Sequence, residues 1–389
     1  MSRWPGKYVI GLTGNIATGK SVVRKMLEHL GAFGIDADGL SHRAIDRSGP
    51  AYAQVAQTFG ELIVGDDGQI DREMLGGIVF ANPKALAKLE AIVHPYVRQA
   101  VDILTARAQQ PVIVVEAIKL LESEIAGWCD SVWVVDVPPQ AQAARLMHKR
   151  GLTAEQAQLR IAAQPSQNDK IAKADVVIDN GESFEETWSQ VQSHWLRLVP
   201  GQVVPDLDDM VAMTPTAPQM TLGAAPTVMV RRGKPADAAA IATFINQSTQ
   251  NARSLTRADV MAAFGEKAFV LAQVNDSLGA LAGWQVENLV TRVDDMYVLD
   301  NVPPDLIFKP LLESIETASR ELQSEAAFLF VPPALKGGAA AALAQAGYEE
   351  TSADSLTITA WRDAVRESQP AGALVFFKKL REDRVMRPV

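Results

Sequence analysis

Two short stretches of this chain carry residue types whose spacing could do chemistry. The first is Gly14-Asn15-Ile16-Ala17-Thr18-Gly19-Lys20-Ser21, a complete G-x-x-x-x-G-K-[ST] phosphate loop. It follows the apolar run Tyr8-Val9-Ile10-Gly11-Leu12 and precedes an amphipathic pattern at Val22, Val23, Met26, Leu27 and Leu30. Strand, turn and helix in that order aim successive backbone N–H groups and a helix N-terminus at an anion. Lys20 supplies a mobile positive charge for the β- and γ-phosphates, the Ser21 hydroxyl a ligand for Mg²⁺, and Val22 closes the nucleotide-binding set. The second stretch is Asp36-Ala37-Asp38, after another apolar run. In an open parallel sheet, ligands bind outside the carboxyl ends of the strands, so this pair should face the phosphates. One carboxylate there can take the proton of an attacking hydroxyl, and the other can order Mg²⁺ through water. Either one could instead simply cap the following helix.

The elements that must position these groups follow a rhythm. Up to about residue 200, short apolar strands alternate with helical patterns, which predicts a doubly wound α/β domain. Strands are expected at Tyr8–Leu12, Ala32–Asp36, Val112–Glu116, Ser131–Val137 and Val176–Asp179, with a closing helix over Ser183–Leu198. The stretch Pro200–Thr227 has five prolines and no periodicity, and it reads as a linker. Domains are thus expected at 1–200 and 227–389, with 201–226 between them. The second begins with the strand Val228–Arg231 and a helix over Pro235–Gln247. Strands Ala268–Val274, Gly279–Val286 and Asp294–Leu299 follow, then a helix over Lys309–Leu322, a strand Ala327–Val331 and a helix over Gly337–Ala346.

Composition narrows the function classes. A net charge of −9 argues against a general affinity for nucleic acid or anionic membranes. The single cysteine, Cys129, has no internal disulfide partner, which fits a reducing cytoplasm. Met1-Ser2-Arg3-Trp4-Pro5-Gly6 leads straight into the first strand, leaving no room for a signal peptide, and the apolar runs are too short to span a membrane.

Asp36-Ala37-Asp38 after this phosphate loop resembles the dephospho-coenzyme A kinases, which phosphorylate the ribose 3′-hydroxyl of dephospho-CoA with ATP. Further blocks fall in that family's order: Gly49-Pro50-Ala51-Tyr52, Phe59-Gly60, Asp67-Gly68-Gln69-Ile70-Asp71-Arg72, Leu75 to Phe80, Asn82-Pro83, Leu89-Glu90 and His94-Pro95. Leu120-Leu121-Glu122, Arg145 to Arg150, Arg160 to Gln164 and Ala174 to Asn180 continue the match, over about the first 200 residues. The resemblance implies a P-loop NTPase-type parallel sheet, with ATP and Mg²⁺ as cofactors and dephospho-CoA as substrate. It makes Asp36 the base, with Lys20 and the lid arginine Arg150 as catalytic cations and Arg145 at the nucleotide; either arginine could also be a solvated surface charge. Asp38, Arg72, His94 and Glu122 would bind the substrate, although His94-Pro95 could equally be a helix-starting turn. Glu116, a strand-end acid, would join Ser21 at the metal.

Departures from that family are few. Its loop is commonly Gly-Gly-Ile-Gly-Ser-Gly-Lys-Ser, whereas Asn15, Ala17 and Thr18 stand here in place of Gly, Gly and Ser. Ala17 matters most, because a methyl group penalises a positive φ and crowds the backbone's approach to phosphate. Ala117-Ile118-Lys119 replaces a more usual Asp/Val-Pro, and Lys119 is either an added cation near the substrate or a surface charge. In the second half, Val228-Met229-Val230-Arg231-Arg232-Gly233-Lys234-Pro235-Ala236-Asp237 resembles the opening of GNAT-type acyltransferases, implying an α+β GNAT-like domain. The Gly-rich pyrophosphate loop of that family is missing. Asp300 to Lys309 stands there instead, with Pro303 and Pro304 removing two backbone donors. This half is therefore expected to be degenerate as an acetyltransferase, leaving self-association or binding of a regulator as its roles.

Overall fold

A computed structural model describes residues 3–162, 164–199, 227–275 and 277–386. The expected linker lies outside the described residues. The first half contains β1 (Tyr8–Thr13), α1 (Lys20–His29), β2 (Phe33–Asp36), α2 (Ala37–Ile45), α3 (Tyr52–Phe59), α4 (Arg72–Ala81), α5 (Pro83–Arg107) and β3 (Val112–Glu116). It continues with β4 (Ser131–Asp136), α6 (Pro139–Arg150), α7 (Ala154–Ala162), α8 (Gln167–Ile171), β5 (Val176–Asp179) and α9 (Phe184–Leu198). Its strands form one sheet in the order β2-β3-β1-β4-β5. β1 runs parallel to both β3 and β4, with Leu12 opposite Glu116 on one side and Trp133 on the other. Strands covered on both faces should be continuously apolar, and Val112–Glu116 is buried throughout. The expected five strands are all present, each within two residues of its anticipated ends.

The second half contains β6 (Val228–Arg232), α10 (Ala238–Ser248), α11 (Arg257–Phe264), β7 (Ala268–Val274), β8 (Ser277–Glu287), β9 (Val290–Val298) and α12 (Pro304–Glu321). Then come β10 (Ala326–Val331), α13 (Lys336–Gln345), β11 (Glu349–Thr351), α14 (Thr359–Ser368) and β12 (Leu374–Lys379). Its seven strands are ordered β11-β12-β10-β9-β8-β7-β6. The β6–β7 and β7–β8 pairs are antiparallel, as are β10–β12 and β11–β12. One parallel pair breaks the pattern: β9 meets β10 over Val290–Val293 and Ala326–Leu329 only. This mixed sheet with helices gives the second half an α+β fold.

Three expectations are corrected. Helix α12 starts at Pro304, five residues before Lys309, because a proline at the first helical position loses only an N–H that has no partner there anyway. β9 starts at Val290 rather than Asp294, since the turn before it uses Asn288 and Leu289 at φ 50° and 62°. A leucine in the left-handed region is not a turn signal that a sequence displays. Finally, His94-Pro95 starts no helix. It lies inside α5, whose first residue is Pro83 and whose cap is Asn82, accepting from the N–H groups of Lys84 and Ala85.

By compactness the described chain falls into two units, each assembled from separate stretches. One comprises Met1–Ile35, Gln109–Gln285 and Asp295–Ile315; the other comprises Asp36–Ala108, Val286–Asp294 and Glu316–Val389. The first unit holds two cores. One packs Ile10, Leu12, Val23, Met26 and Leu27 against Trp133, Val191 and Trp195. The other gathers Phe244, Phe264, Phe269 and Leu281, and Phe184 packs against both. The second unit has a core around Phe328, Phe330, Trp361 and Val375. No helix among the described residues is long and apolar enough to cross a membrane.

Candidate active site

In the first unit, the turn between β1 and α1 has the backbone of an anion cradle. Ala17 has φ 60° and Gly19 has φ 91°, so the strain expected at Ala17 is present. Thr18 Oγ1 and Lys20 Nζ both donate to the Asn15 carbonyl, at 2.9 and 3.2 Å. The N–H groups of Ala17, Gly19 and Ser21 donate to no acceptor among the described residues. Those of Asn15 and Ile16 are taken, by the side-chain oxygens of Gln167 and Gln164 at 3.1 and 2.7 Å. Gln142 Nε2 adds a bond to the Ile16 carbonyl at 2.7 Å. The first part of the loop is thus fixed by protein, and the part at the helix N-terminus keeps its donors for a ligand.

Arg145 of α6 braces the same loop. Its guanidinium donates to the Thr18 carbonyl at 3.3 Å and to the Asn180 carbonyl at 2.6 Å. Asn180 in turn donates to the Thr18 carbonyl at 2.8 Å. All of these acceptors are neutral, and Arg145 makes no ion pair among the described residues, so its charge remains uncompensated beside the loop. Burial moves its pKa down, yet a guanidinium stays protonated. Arg150 lies at the end of α6, but its side chain is outside the described residues.

Ser21 and Glu116 were expected to share a metal, and the fold does bring them together. Ser21 Oγ donates to Glu116 Oε1 at 3.0 Å. Glu116 is buried at the end of β3, and its other oxygen accepts from Arg24 Nε at 2.7 Å. Arg24 also reaches Glu28 at 2.5 Å, and Lys25 meets the second oxygen of Glu28 at 2.8 Å. Glu28 is pulled down to about 2: burial alone would raise it, but the attraction of Lys25 and Arg24 outweighs that. No group of three or more His, Cys, Asp or Glu side chains among the described residues forms a ready metal cage. Mg²⁺ needs only one or two protein oxygens beside phosphates and water, and the hydroxyl and carboxylate here fit that donor set.

The second unit carries the acidic pair. Asp36 ends β2 and caps α2, its Oδ1 accepting the Gly39 N–H at 2.9 Å. The capping alternative is therefore real, but it uses one carboxylate oxygen and leaves the half-buried second one for other work. Asp38 lies in the first turn of α2, also half-buried. Arg72 begins α4 and pairs with buried Asp46 at 2.7 Å, keeping much of its side chain in solvent. Burial pushes Asp46 up despite the opposing pull of Arg72. His94 is half-buried within α5. Glu122 belongs to the first unit, exposed on a single 3-10 turn, with no hydrogen bond or ion pair among the described residues. Lys119 is exposed as well. Arg24, Gln142 and Gln167 escaped the sequence reading. A glutamine has no distinctive spacing, and Arg24 sits on α1 where only the i,i+4 relation to Glu28 marks it.

Comparison with known proteins locates this architecture. Residues 8–186 match the family described as CoaE, dephospho-CoA kinase. A dephospho-CoA kinase of Geobacter sulfurreducens is 41% identical over 195 residues, which is 49% of this chain and 99% of the relative. One of Thermobifida fusca is 41% identical over 190 residues, which is 49% of this chain and 95% of the relative. Among solved structures, TT1252 from Thermus thermophilus aligns at 31% identity over 50% of this chain and 99% of its own, with a TM-score of 0.46. An acetyltransferase of Salmonella typhimurium, solved with acetyl-CoA, aligns at 13% identity over 40% of this chain and 95% of its own, TM-score 0.32.

Proposed function

The chain belongs to the dephospho-CoA kinase family, and from that premise we propose how its residues divide the work of phosphorylating the ribose 3′-hydroxyl of dephospho-CoA with ATP. The uncommitted N–H groups of Ala17, Gly19 and Ser21 receive the phosphates, with Lys20 as the mobile cation. Arg145 adds its uncompensated charge at the nucleotide, and Arg150 closes from the end of α6. Ser21 and Glu116 hold Mg²⁺, which when bound would neutralise charge on the phosphates. Arg24 holds the Glu116 carboxylate in place beside Ser21.

On the acceptor side, Asp36 takes the 3′-hydroxyl proton as the oxygen attacks the γ-phosphorus and the bond to the leaving ADP oxygen breaks. The Gly39 N–H holds one oxygen of that carboxylate, which orients the other. Asp38, Arg72, His94 and Glu122 contribute to binding dephospho-CoA. Arg72 suits a phosphate because it is exposed beyond its contact with Asp46. The chain divides functionally at 1–200 and 227–389. The GNAT-like half transfers no acyl group, since Pro303 and Pro304 occupy the place of the donor-rich loop. The enzyme works in the cytoplasm, where Cys129, its thiol pushed up to about 12 by burial, stays protonated and reduced.

The observation that carries this reading is the phosphate loop with three uncommitted donors beside Ser21, Glu116 and the uncompensated Arg145. It is tested by following ATP-dependent conversion of dephospho-CoA to CoA, with nucleoside monophosphates as competing acceptors. Turnover of dephospho-CoA is expected, and turnover of the monophosphates alone would overturn the proposal.

A further inference from the structure

Helix α2, capped by Asp36, packs against residues of the GNAT-like half of the chain. Gly39 and Arg43 lie four residues apart and so share a face of α2. Arg43 is buried, and its guanidinium donates to Glu325 Oε2 at 2.6 Å and to the Asn288 carbonyl at 2.7 Å. Any side chain on Gly39 would collide with Asn288 Oδ1, which is buried without a hydrogen-bond partner. Asn288 and Leu289 make the left-handed turn before β9, and strain of that kind persists only where the surroundings over-determine it.

Glu325 is fixed as firmly as the turn. Its N–H donates to the Leu289 carbonyl at 2.7 Å, its carbonyl accepts from Leu380 N at 2.9 Å, and its second carboxylate oxygen accepts from Val385 N at 3.1 Å. The turn, the carboxylate and the C-terminal segment thus form one hydrogen-bonded support under α2. The residue of α2 that presses on this support, Gly39, is also the donor that holds the Asp36 carboxylate.

We propose that the GNAT-like half is a positioning element of the kinase: the Asn288–Leu289 turn and Glu325 fix α2 and, through the Gly39 N–H, aim the Asp36 carboxylate at the acceptor hydroxyl. The proposal rests on reading Asp36 as the base. Glu325 and Asn288 are positioning residues, since they touch neither substrate nor nucleotide but act through the helix. A support at the far end of a helix needs no acyl-CoA site to be useful, which is why this half can keep its fold without the donor-rich loop.

The test uses the full chain with two variants, Glu325→Gln and Asn288→Gly. Glycine accepts the left-handed turn without strain, so Asn288→Gly keeps the question answerable if Glu325→Gln does not fold. For both, kcat for CoA formation is expected to fall, by roughly ten- to a hundredfold for Glu325→Gln and at least about threefold for Asn288→Gly, as small misplacements of a reacting group do. The dissociation constant for ATP should stay within about twofold, because the nucleotide side does not depend on this support. A folded Asn288→Gly protein with unchanged kcat, or a parallel loss of ATP binding, overturns the proposal. Asp36→Asn separates the two readings. If it turns over normally, the base assignment is wrong; if it is inactive while both support variants are normal, only the positioning is wrong.

Discussion

Helices α1 and α2 make an instructive pair. Each has at its N-terminal end a residue proposed to do chemistry, Lys20 or the cap Asp36, and each carries a buried arginine; yet the counter-charges come from different places. On α1, Arg24 is neutralised by Glu116 and Glu28, both from the same half of the chain. On α2, Arg43 is neutralised by Glu325, from the GNAT-like half. Helix α1 also touches the GNAT-like half, but through polar groups that need no opposite charge there. His29 Nε2 lies 2.8 Å from the Phe264 carbonyl, and Arg232 approaches His29 Nδ1 at 3.2 Å. The nucleotide side therefore brings its own electrostatics, whereas the acceptor side borrows them. Fusing a second domain to a kinase can in this way leave one substrate's site independent and make the other's conditional.

The largest effect that would sharpen this contrast is at Arg24. Arg24→Met strips two buried carboxylates of their shared partner, which should lower stability by about 3–5 kcal/mol in denaturant unfolding. It should also weaken ATP binding, because Glu116 is then free to leave Ser21. Arg43→Met should cost stability on a similar scale but leave ATP binding alone. Equal effects of the two on ATP would break the contrast.

A smaller effect concerns pH. His29 is neutral, its Nε2–H donating to Phe264 and its Nδ1 facing Arg232, and burial together with the Arg232 charge pushes it down to about 3 from 6.5. Because the folded value lies below the unfolded one, the stabilisation is complete above about 6.5 and is lost as pH falls toward 3. The slope should stay under the one-proton limit of about 1.4 kcal/mol per pH unit, since the ring is only half-buried and solvent screens it. Unfolding midpoints of His29→Gln should fall less over this window than those of the native chain. Parallel curves would show that this contact between the halves is not ionisation-linked.

The smallest effect is at the loop itself. Ala17→Gly removes left-handed strain of about 1–2 kcal/mol, offset by the greater freedom of glycine in the unfolded chain. A net gain of about 0.5 kcal/mol is expected, read as a slightly higher unfolding midpoint, with a loss of stability as the contrary result.

Sequence reading served the first half well because its signals are local. The phosphate loop, the strand ends at Asp36 and Glu116, and even the positive φ at Ala17 follow from short spacings. What it missed depends on distant partners. Arg24 looks like a surface arginine until β3 places Glu116 beside it, and Arg43 has no legible role until Glu325, far along the chain, arrives. Helices α2 to α5 hid behind motif blocks, and Pro95 drew attention from the true start at Pro83. In the second half, β11, α14 and β12 were not anticipated, although Trp361, Ala364 and Val365 show helical spacing.

The central claim is that Asp36 activates the acceptor while the nucleotide side stands alone, and one measurement addresses it most directly. Asp36→Asn should be compared with the native chain for CoA formation and, in the same preparation, for ATP binding by calorimetry. The account predicts a fall in kcat of about a hundred- to ten-thousandfold, as for loss of a general base, with the ATP dissociation constant within about twofold of native. Near-native turnover, or loss of ATP binding together with turnover, would contradict it.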